Sequence, residues 1–282
     1  MTVTLEGSVQ VDRGELRAAL KAVRPHAGPN RRGDEVLPLH RVRLHIGAGR
    51  VHVLAASGAS MAVAYVGILA DTRPHPEHAD DGPYLVDLDP NFVDYVLKVF
   101  PARKLRKDAD PQDGRIEIKF GTHEVEFEEG PGGLYEGQRI GFPIADPNSQ
   151  FPDVRALVGR AVRERGETTQ AKPLVVGGAI LQLWHHAGQA YGQPVRISGS
   201  GDVTSPTYVV EVGGLFVGTF GSRPGDDIAR KQQSVWAQGW LEDLPTVDED
   251  ALAEAERLLG APAAGEVDEP DDGQDELPEG DD

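Results

Sequence analysis

The chain of 282 residues contains no cysteine, and this absence excludes several kinds of chemistry at once. Disulfide bonds, cysteine zinc sites and thiol nucleophiles all require that residue. The sequence also lacks an apolar run of about 20 residues, which a membrane helix needs. Its N-terminus does not show the basic-then-apolar pattern of a secretory signal. We therefore expect a cytoplasmic protein that has no membrane association.

The sequence signatures of common enzymes are missing as well. There is no P-loop, no Gly-x-Ser-x-Gly and no dinucleotide-binding fingerprint. His75 and His78 have the spacing of two metal ligands, but they lie in a proline-rich loop, and a helix would be needed to aim both rings together. His185 and His186 are adjacent, so on a helix their rings diverge by about 100°. We predict that the protein is not an enzyme and holds no metal or cofactor.

The negative charge is concentrated at one end of the chain. Residues 246–282 hold 15 acidic residues and one arginine, which accounts for 14 of the 18 net negative charges. The pattern over residues 247–260 indicates a short acidic helix. The rest is proline, glycine and acid with almost nothing to bury, which predicts disorder. This acidic tail is either a solubilising segment or a peptide that docks on a basic partner or mimics nucleic acid.

The body of the chain repeats one order of elements. An alternating strand leads into a helix, and three strands with a period of two follow. The second unit begins with the strand YLVDL, an Asp89 helix cap and Pro90 at the first helical position. The third begins at PLVVGGAILQLWHHAGQAYG. Three units of about 50 to 70 residues predict an α+β fold with repeated β-α-β-β-β units.

The first helix carries a basic face. Arg13, Arg17, Lys21 and Arg24 are spaced four, four and three residues apart, so they share one side of a helix. Such a face is either ordinary solvated surface or a surface that contacts phosphates without reading sequence.

Three segments in the correct order resemble the bacterial DNA polymerase sliding clamp, the β subunit of the replicative polymerase. VQVDRGELRAALKAV followed by LPLHRVRLHI resembles the clamp's opening strand, helix and Leu-Pro turn. VHVLAASGASMAVAYV resembles its strand-turn-strand, and FPDVRALV resembles the segment that leads out of a clamp domain. The resemblance implies antiparallel sheets on one face and helices on the other. It covers residues 6 to 220.

The chain also departs from the family pattern. Family chains have six units, whereas this chain has about three. The family's turn threonine and aspartate are Ala56 and Ser57 here. The family's Met-Pro ending is absent, and the corresponding stretch reads Gly218-Thr219-Phe220-Gly221. We divide the chain into a clamp-like domain (1–160), a third unit (161–225), a connector (226–245) and the acidic tail (246–282).

The resemblance implies a non-catalytic, nucleoid-associated protein that supports DNA replication or repair as a homo-oligomer. It would hold double-stranded DNA without sequence specificity and dock a DNA polymerase or other partners. The implied DNA-contacting residues are Arg13, Arg17, Lys21, Arg24, Arg31, Arg32, Lys98, Arg103 and Lys104. The implied partner-peptide pocket consists of Gly58, Met61, Pro152, Leu157 and Val217.

The alternative is a clamp-fold scaffold that binds proteins and no longer encircles DNA. The connector holds Trp236 and Trp240, which must either pack back on the body or meet a partner. A symmetric assembly that binds circular DNA would favour the clamp, and a monomer without salt-sensitive DNA binding would favour the scaffold.

Overall fold

The structure is a computed structural model, and it describes ten segments of the chain. These are residues 5–29, 31–32, 35–36, 38–73, 84–102, 114–130, 137–144, 150–164, 176–199 and 207–221. The acidic tail, the connector, His75 and His78 lie outside the described residues.

The described residues form four α-helices and thirteen strands, in the order that follows. The first unit has β1 (Leu5–Asp12), α1 (Arg13–Val23), β2 (Arg31–Arg32), β3 (Glu35–Val36), β4 (Val42–Ile46), β5 (Arg50–Ala56) and β6 (Ser60–Asp71). The second has β7 (Tyr84–Leu88), α2 (Pro90–Val99), β8 (Arg115–Gly121), β9 (Glu124–Glu129) and β10 (Arg139–Pro143). Helices α3 (Val154–Glu164) and α4 (Gly178–Tyr191) precede β11 (Val195–Gly199), β12 (Thr207–Val212) and β13 (Phe216–Gly221).

Eleven of the strands form one antiparallel sheet that joins all three units. The order β10-β9-β8-β1-β6-β13-β12-β11 runs along the sheet, and β5, β4 and β7 extend it from β6. The opening strands of the first two units are exchanged, because β1 pairs with β8 and β7 pairs with β4. The third unit joins through β13, whose residues Phe216–Phe220 pair with Ala64–Ser60 of β6. Strand β6 is therefore the element that holds the sheet together.

Helices α1, α2 and α4 cover one face of this sheet, which we call the helix face. In α1 and α2, Asp12 and Asp89 each accept a hydrogen bond from a backbone N–H of the first turn, as expected for helix caps. Apolar residues of the three helices join inward residues of the strands in one main core. Its fully buried members include Leu16, Leu20 and Trp184.

Helix α3 packs on the opposite face, which we call the outer face. Val53 and Ala55 of β5 belong to the main core, whereas Leu54 and Ala56 belong to a second cluster with Val154 and Val158 of α3. Successive side chains of a strand point to opposite faces, so α3 must lie across the sheet from α1, α2 and α4. The sequence pattern did not predict this helix.

Trp184 anchors the third unit to the helix face. Its ring is 1% exposed, lies with its centroid 4.4 Å from that of His26 and packs against Phe220 at 5.7 Å. Gly218 makes this close approach feasible, because a Cβ there would lie 2.5 Å from a carbon of the indole ring. The contact joins the third unit to the first unit's helix end.

The predicted α+β class with repeated strand-helix-strand units is confirmed. The helices of the three units share one face as predicted, and α3 is an addition on the other. The boundaries proposed at residues 160, 225 and 245 stay predictions.

Candidate functional site

Arg13, which opened the predicted basic face, lies inside the protein. The residue is 4% exposed, and its guanidinium forms an ion pair with Glu129 at the end of β9. Helical spacing placed Arg13 beside Arg17, but the neighbouring strand supplies a carboxylate that only the tertiary fold brings near. The expectation of Arg13 as a surface contact for phosphate therefore needs correction. Glu129 is its partner.

Arg17 and Arg24 also make contacts within the protein. Arg17 donates through Nη1 to the backbone oxygen of Leu97 at 2.6 Å and to that of Phe100, at the end of α2. Burial lowers the pKa of Arg17 from its ordinary value. Arg24 donates from Nε and Nη2 to the two carboxylate oxygens of Asp94, at 3.0 and 2.6 Å. Arg17 of α1 and Arg24 at its C-terminal end tether the first unit's helix to α2, and the carboxylate of Asp94 matches the charge of Arg24.

Lys21 and Lys98 are the predicted cations that remain exposed without a carboxylate partner in the described segments. Lys21 lines a cavity of about 430 Å³ together with Arg13 and Arg17, between the start of α1 and the end of α4. The backbone of Arg31 and Arg32 forms the short strand β2, paired with β3. Arg103 and Lys104 lie outside the described residues.

Met61 and Val217 of the predicted partner pocket lie on the outer face of the sheet. Both are partly buried and pack against the cluster beneath helix α3. Leu157, on α3 itself, is 43% exposed. Pro152 accepts a hydrogen bond from the N–H of Val154 at 2.8 Å, just before α3 begins. The structure thus places four predicted pocket residues on α3, on its entry or on the strands beneath it.

Gly58 lies at the exposed tip of the turn between β5 and β6. Ser57 organises this turn, since its Oγ accepts hydrogen bonds from the N–H groups of Ala59 and Ser60, at 3.3 and 3.1 Å. Serine can replace the family's aspartate here because either side chain can accept such bonds. The turn leads directly into β6 and Met61.

The sequence pattern did not predict two further apolar residues at this location. Leu39 and Val162 pack against the same cluster as Met61 and Val217. Leu39 follows the Leu-Pro turn that carried the resemblance, so its position in the chain was a usable signal. We use the name α3 surface for exposed Leu157 of α3 together with the four partly buried residues at the cluster beneath this helix, Leu39, Met61, Val162 and Val217.

A buried ion pair positions the segment that leads into α3. Asp87 is 1% exposed and accepts bonds from Nη1 of Arg41 at 2.7 Å and from Nε and Nη2 of Arg43 at 2.7 and 2.9 Å. The guanidinium of Arg43 lies 4.4 Å from the centre of the Phe151 ring. Charge and aromatic stacking together set where the Phe-Pro-Asp segment leaves the sheet.

The described residues contain no group of three side chains suited to hold a metal ion. None of the helices in those residues is long and apolar enough to cross a membrane. His185 and His186 lie on α4 with ring centroids 6.1 Å apart.

The fold and the arrangement of its units define a DNA-clamp fold. The sliding clamp of Bacillus subtilis aligns with a TM-score of 0.52 and 11% identity, over 79% of this chain and 66% of its own. The DNA polymerase III β subunit of Thermotoga maritima gives 0.51 and 10%, over 79% and 67%. The sliding clamp of Pseudomonas aeruginosa gives 0.52 and 11%, over 79% and 68%.

The resemblance inferred from the sequence is therefore confirmed for the fold. The chain spans about two thirds of the length of the clamps it matches. The sequence matches no protein-family profile and no curated protein.

Proposed function

We propose that the chain is a non-catalytic accessory protein of the sliding-clamp type that docks partner proteins at the α3 surface. The observation that carries the proposal is the exposure of Leu157, 43%, on a helix whose other apolar side chains hold it against β6 and β13. An exposed leucine on a helix that is already packed offers apolar area to a partner. Little conformational entropy is lost on binding, because the helix is already ordered.

The sequence supplies a matched pair of leucines for testing this proposal. Leu157→Asp is expected to weaken binding of the organism's replicative DNA polymerase to the immobilised intact chain at least tenfold, because burial of a leucine contributes about 1.5 to 3 kcal/mol. Leu181→Asp is the control, since Leu181 is 45% exposed on α4 at the helix face. Surface plasmon resonance measures both. Equal binding by the two variants would contradict docking at α3.

Contact with double-stranded DNA is the second candidate function, and exposed Lys21 and Lys98 on the helix face favour it. Lys21 lines a cavity there together with Arg17, which keeps its charge because its partners are backbone oxygens. Phosphate contacts of this kind are independent of sequence and weaken with salt. They would place the protein at the nucleoid. The ion pairs of Arg13 with Glu129 and of Arg24 with Asp94 favour a weak contact over a tight one.

We expect the double variant Lys21→Glu with Lys98→Glu to lose salt-sensitive binding to a closed circular duplex, because two phosphate contacts become repulsive. The logarithmic salt slope should fall by about two. Arg163→Glu, on the outer-face helix, is the control. Electrophoretic mobility at several salt concentrations measures the effect. A slope unchanged by the lysine substitutions would rule out this surface.

Encirclement of DNA would require several copies of the chain. Strands β7, β10 and β11 each have a single partner in the described sheet, and β11 exposes Val195 and Ile197 by 36% and 37%. Such edges can pair with another chain. A monomer by light scattering at working concentration would exclude the ring and leave the protein-docking scaffold.

A further inference from the structure

Three aromatic rings form a row across neighbouring strands on the outer face of the sheet. His45 of β4 pairs in register with His52 of β5, and His52 pairs with Tyr65 of β6. The ring centroids of His45 and His52 lie 5.7 Å apart, and those of His52 and Tyr65 lie 6.4 Å apart. The residues on either side of each belong to the main core, so these three side chains point away from α1, α2 and α4. All three are half-buried, and we call them the ring row.

An arginine lies at each end of the ring row. Nη1 of Arg155, on α3, lies 2.7 Å from Nε2 and 3.2 Å from Nδ1 of His45. At the other end, the guanidinium carbon of Arg50 lies 4.7 Å from the centre of the Tyr65 ring. Both arginines are exposed, and no carboxylate of the described segments forms an ion pair with either of them. The row therefore lies between two positive charges that an external anion can reach.

The two histidines of the row are uncharged at neutral pH. Burial first, and then the charge of Arg155, lower the pKa of His45. The same two causes lower the pKa of His52 to about 4, and Arg50 acts in the same direction. Asp153 acts in the opposite direction on His45, but its Oδ1 already accepts a backbone N–H of α3 at 3.0 Å. The surface thus presents neutral aromatic rings together with two cations.

Single-stranded nucleic acid is the ligand that uses both parts of this surface. Its unpaired bases stack on aromatic rings and on guanidinium planes, and its phosphates are held by arginines. Sheet surfaces that bind RNA stack two or three bases on aromatic side chains, and the ring row offers three rings on adjacent strands. A carboxylate or a free phosphate would use the cations alone. The bases of a duplex are stacked within the helix, so they are not available to the rings.

We propose that the ring row binds a segment of single-stranded nucleic acid, with bases stacked on Tyr65 and the two histidines and with phosphates on Arg50 and Arg155. The row lies on the opposite face of the sheet from the helices that carry Lys21 and Lys98. The inference therefore does not rest on the proposed contact with double-stranded DNA. A chain with both sites holds a duplex on its helix face and an unpaired strand on its outer face.

The test uses the intact chain and a fluorescently labelled thymidylate strand of about ten nucleotides, within the range of site sizes for such surfaces. Fluorescence anisotropy measures the affinity, and NMR of the imidazole signals of His45 and His52 locates the site. We expect saturable binding with shifts at both rings. An abasic strand of equal length keeps the phosphates, and it should bind at least about fivefold more weakly because base stacking is lost.

Two substitutions of Tyr65 separate stacking from local structure. The Tyr65 hydroxyl donates to the backbone oxygen of Gly214 at 2.6 Å. Tyr65→Phe loses this hydrogen bond but keeps the ring, so it should bind the thymidylate strand as the original chain does. Tyr65→Leu keeps an apolar side chain but loses the ring, so binding should be at least about fivefold weaker.

The contribution of the two cations is tested through the dependence of affinity on salt. Arg50→Gln and Arg155→Gln should each weaken binding and reduce the logarithmic salt slope by about 0.7, the value for one phosphate contact on a single strand. Arg163→Gln, two turns further along α3, is the control and should leave affinity and slope unchanged.

Four results would overturn the proposal: equal affinity for the abasic strand, full binding by Tyr65→Leu, a salt slope unchanged in both arginine variants, or no shift at His45 and His52. A phosphoserine peptide of equal charge that binds as tightly as thymidylate would overturn the choice of nucleic acid in favour of a protein ligand. The proposed contact with double-stranded DNA fails separately, through an unchanged salt slope in Lys21→Glu with Lys98→Glu.

Discussion

Replacing Trp184 with alanine is expected to lower the free energy of unfolding by about 3 to 5 kcal/mol, the usual loss for a large buried aromatic side chain. The indole ring is 1% exposed and fills the space between His26 of the first unit and Phe216 and Phe220 of β13. Gly218 beneath the ring has no side chain that could fill the space left by the indole. Urea unfolding followed by far-ultraviolet circular dichroism measures the loss.

Leu181→Ala on the same helix is the control for Trp184→Ala, since its side chain is 45% exposed and should change stability by less than about 1 kcal/mol. Trp184→Phe should lie between the two, because it keeps part of the ring volume. A loss of under 1 kcal/mol in Trp184→Ala would show that the third unit does not depend on this contact.

Acid is expected to destabilise the protein through His26. This side chain is fully buried, with Nδ1 hydrogen-bonded to the hydroxyl of Ser60 at 3.0 Å. Burial, with a smaller effect from His186, lowers the pKa of His26 to about 3. The native state therefore keeps the ring neutral while the unfolded chain takes up a proton near pH 6.5.

The direction of the pH dependence of stability follows from this difference in pKa between the folded and the unfolded state. Between pH 6.5 and pH 3 the unfolded state binds more protons, so stability falls as pH falls. The loss from His26 should approach about 3 kcal/mol at pH 4, at a slope near 1.4 kcal/mol per pH unit. His52, with a pKa of about 4, adds a smaller loss because it is only half-buried and solvent screens it.

Urea unfolding at several pH values measures this dependence, with His26→Asn as the variant that cannot titrate. The variant is expected to be less stable at pH 7 but to lose much less stability on acidification. His52→Asn is the control for histidine on the outer face. An NMR titration in which the His26 ring gains its proton above pH 6 in the folded protein would contradict the prediction.

Local patterns predicted the elements well. Period-two alternation identified the strands that became β4, β5 and β6, and the Asp89-Pro90 pair marked the start of α2. These signals are short-range, because a strand's alternation and a helix cap each involve residues close in the chain. Helix α3 was missed because its segment was read only as the exit from a clamp domain.

Local patterns could not predict which basic side chains the fold pairs with a carboxylate. Glu129 lies 116 residues from Arg13, and Asp94 lies 70 residues from Arg24. Helical spacing shows that these basic residues share a side, but it contains no information about which carboxylates the fold brings to them. The ion pairs of these residues therefore had to come from the fold, and their contact with DNA stays a prediction.

The sequence by itself determined the cysteine-free composition, the acidic tail and the repeated strand-helix-strand units, since all of these are readable from neighbouring residues. The tertiary structure decided which cations remain exposed, where α3 packs and how β6 joins the third unit to the first. Those outcomes depend on contacts between residues far apart in the chain. Long-range pairing has no counterpart in local periodicity, so burial and charge partners had to come from the fold.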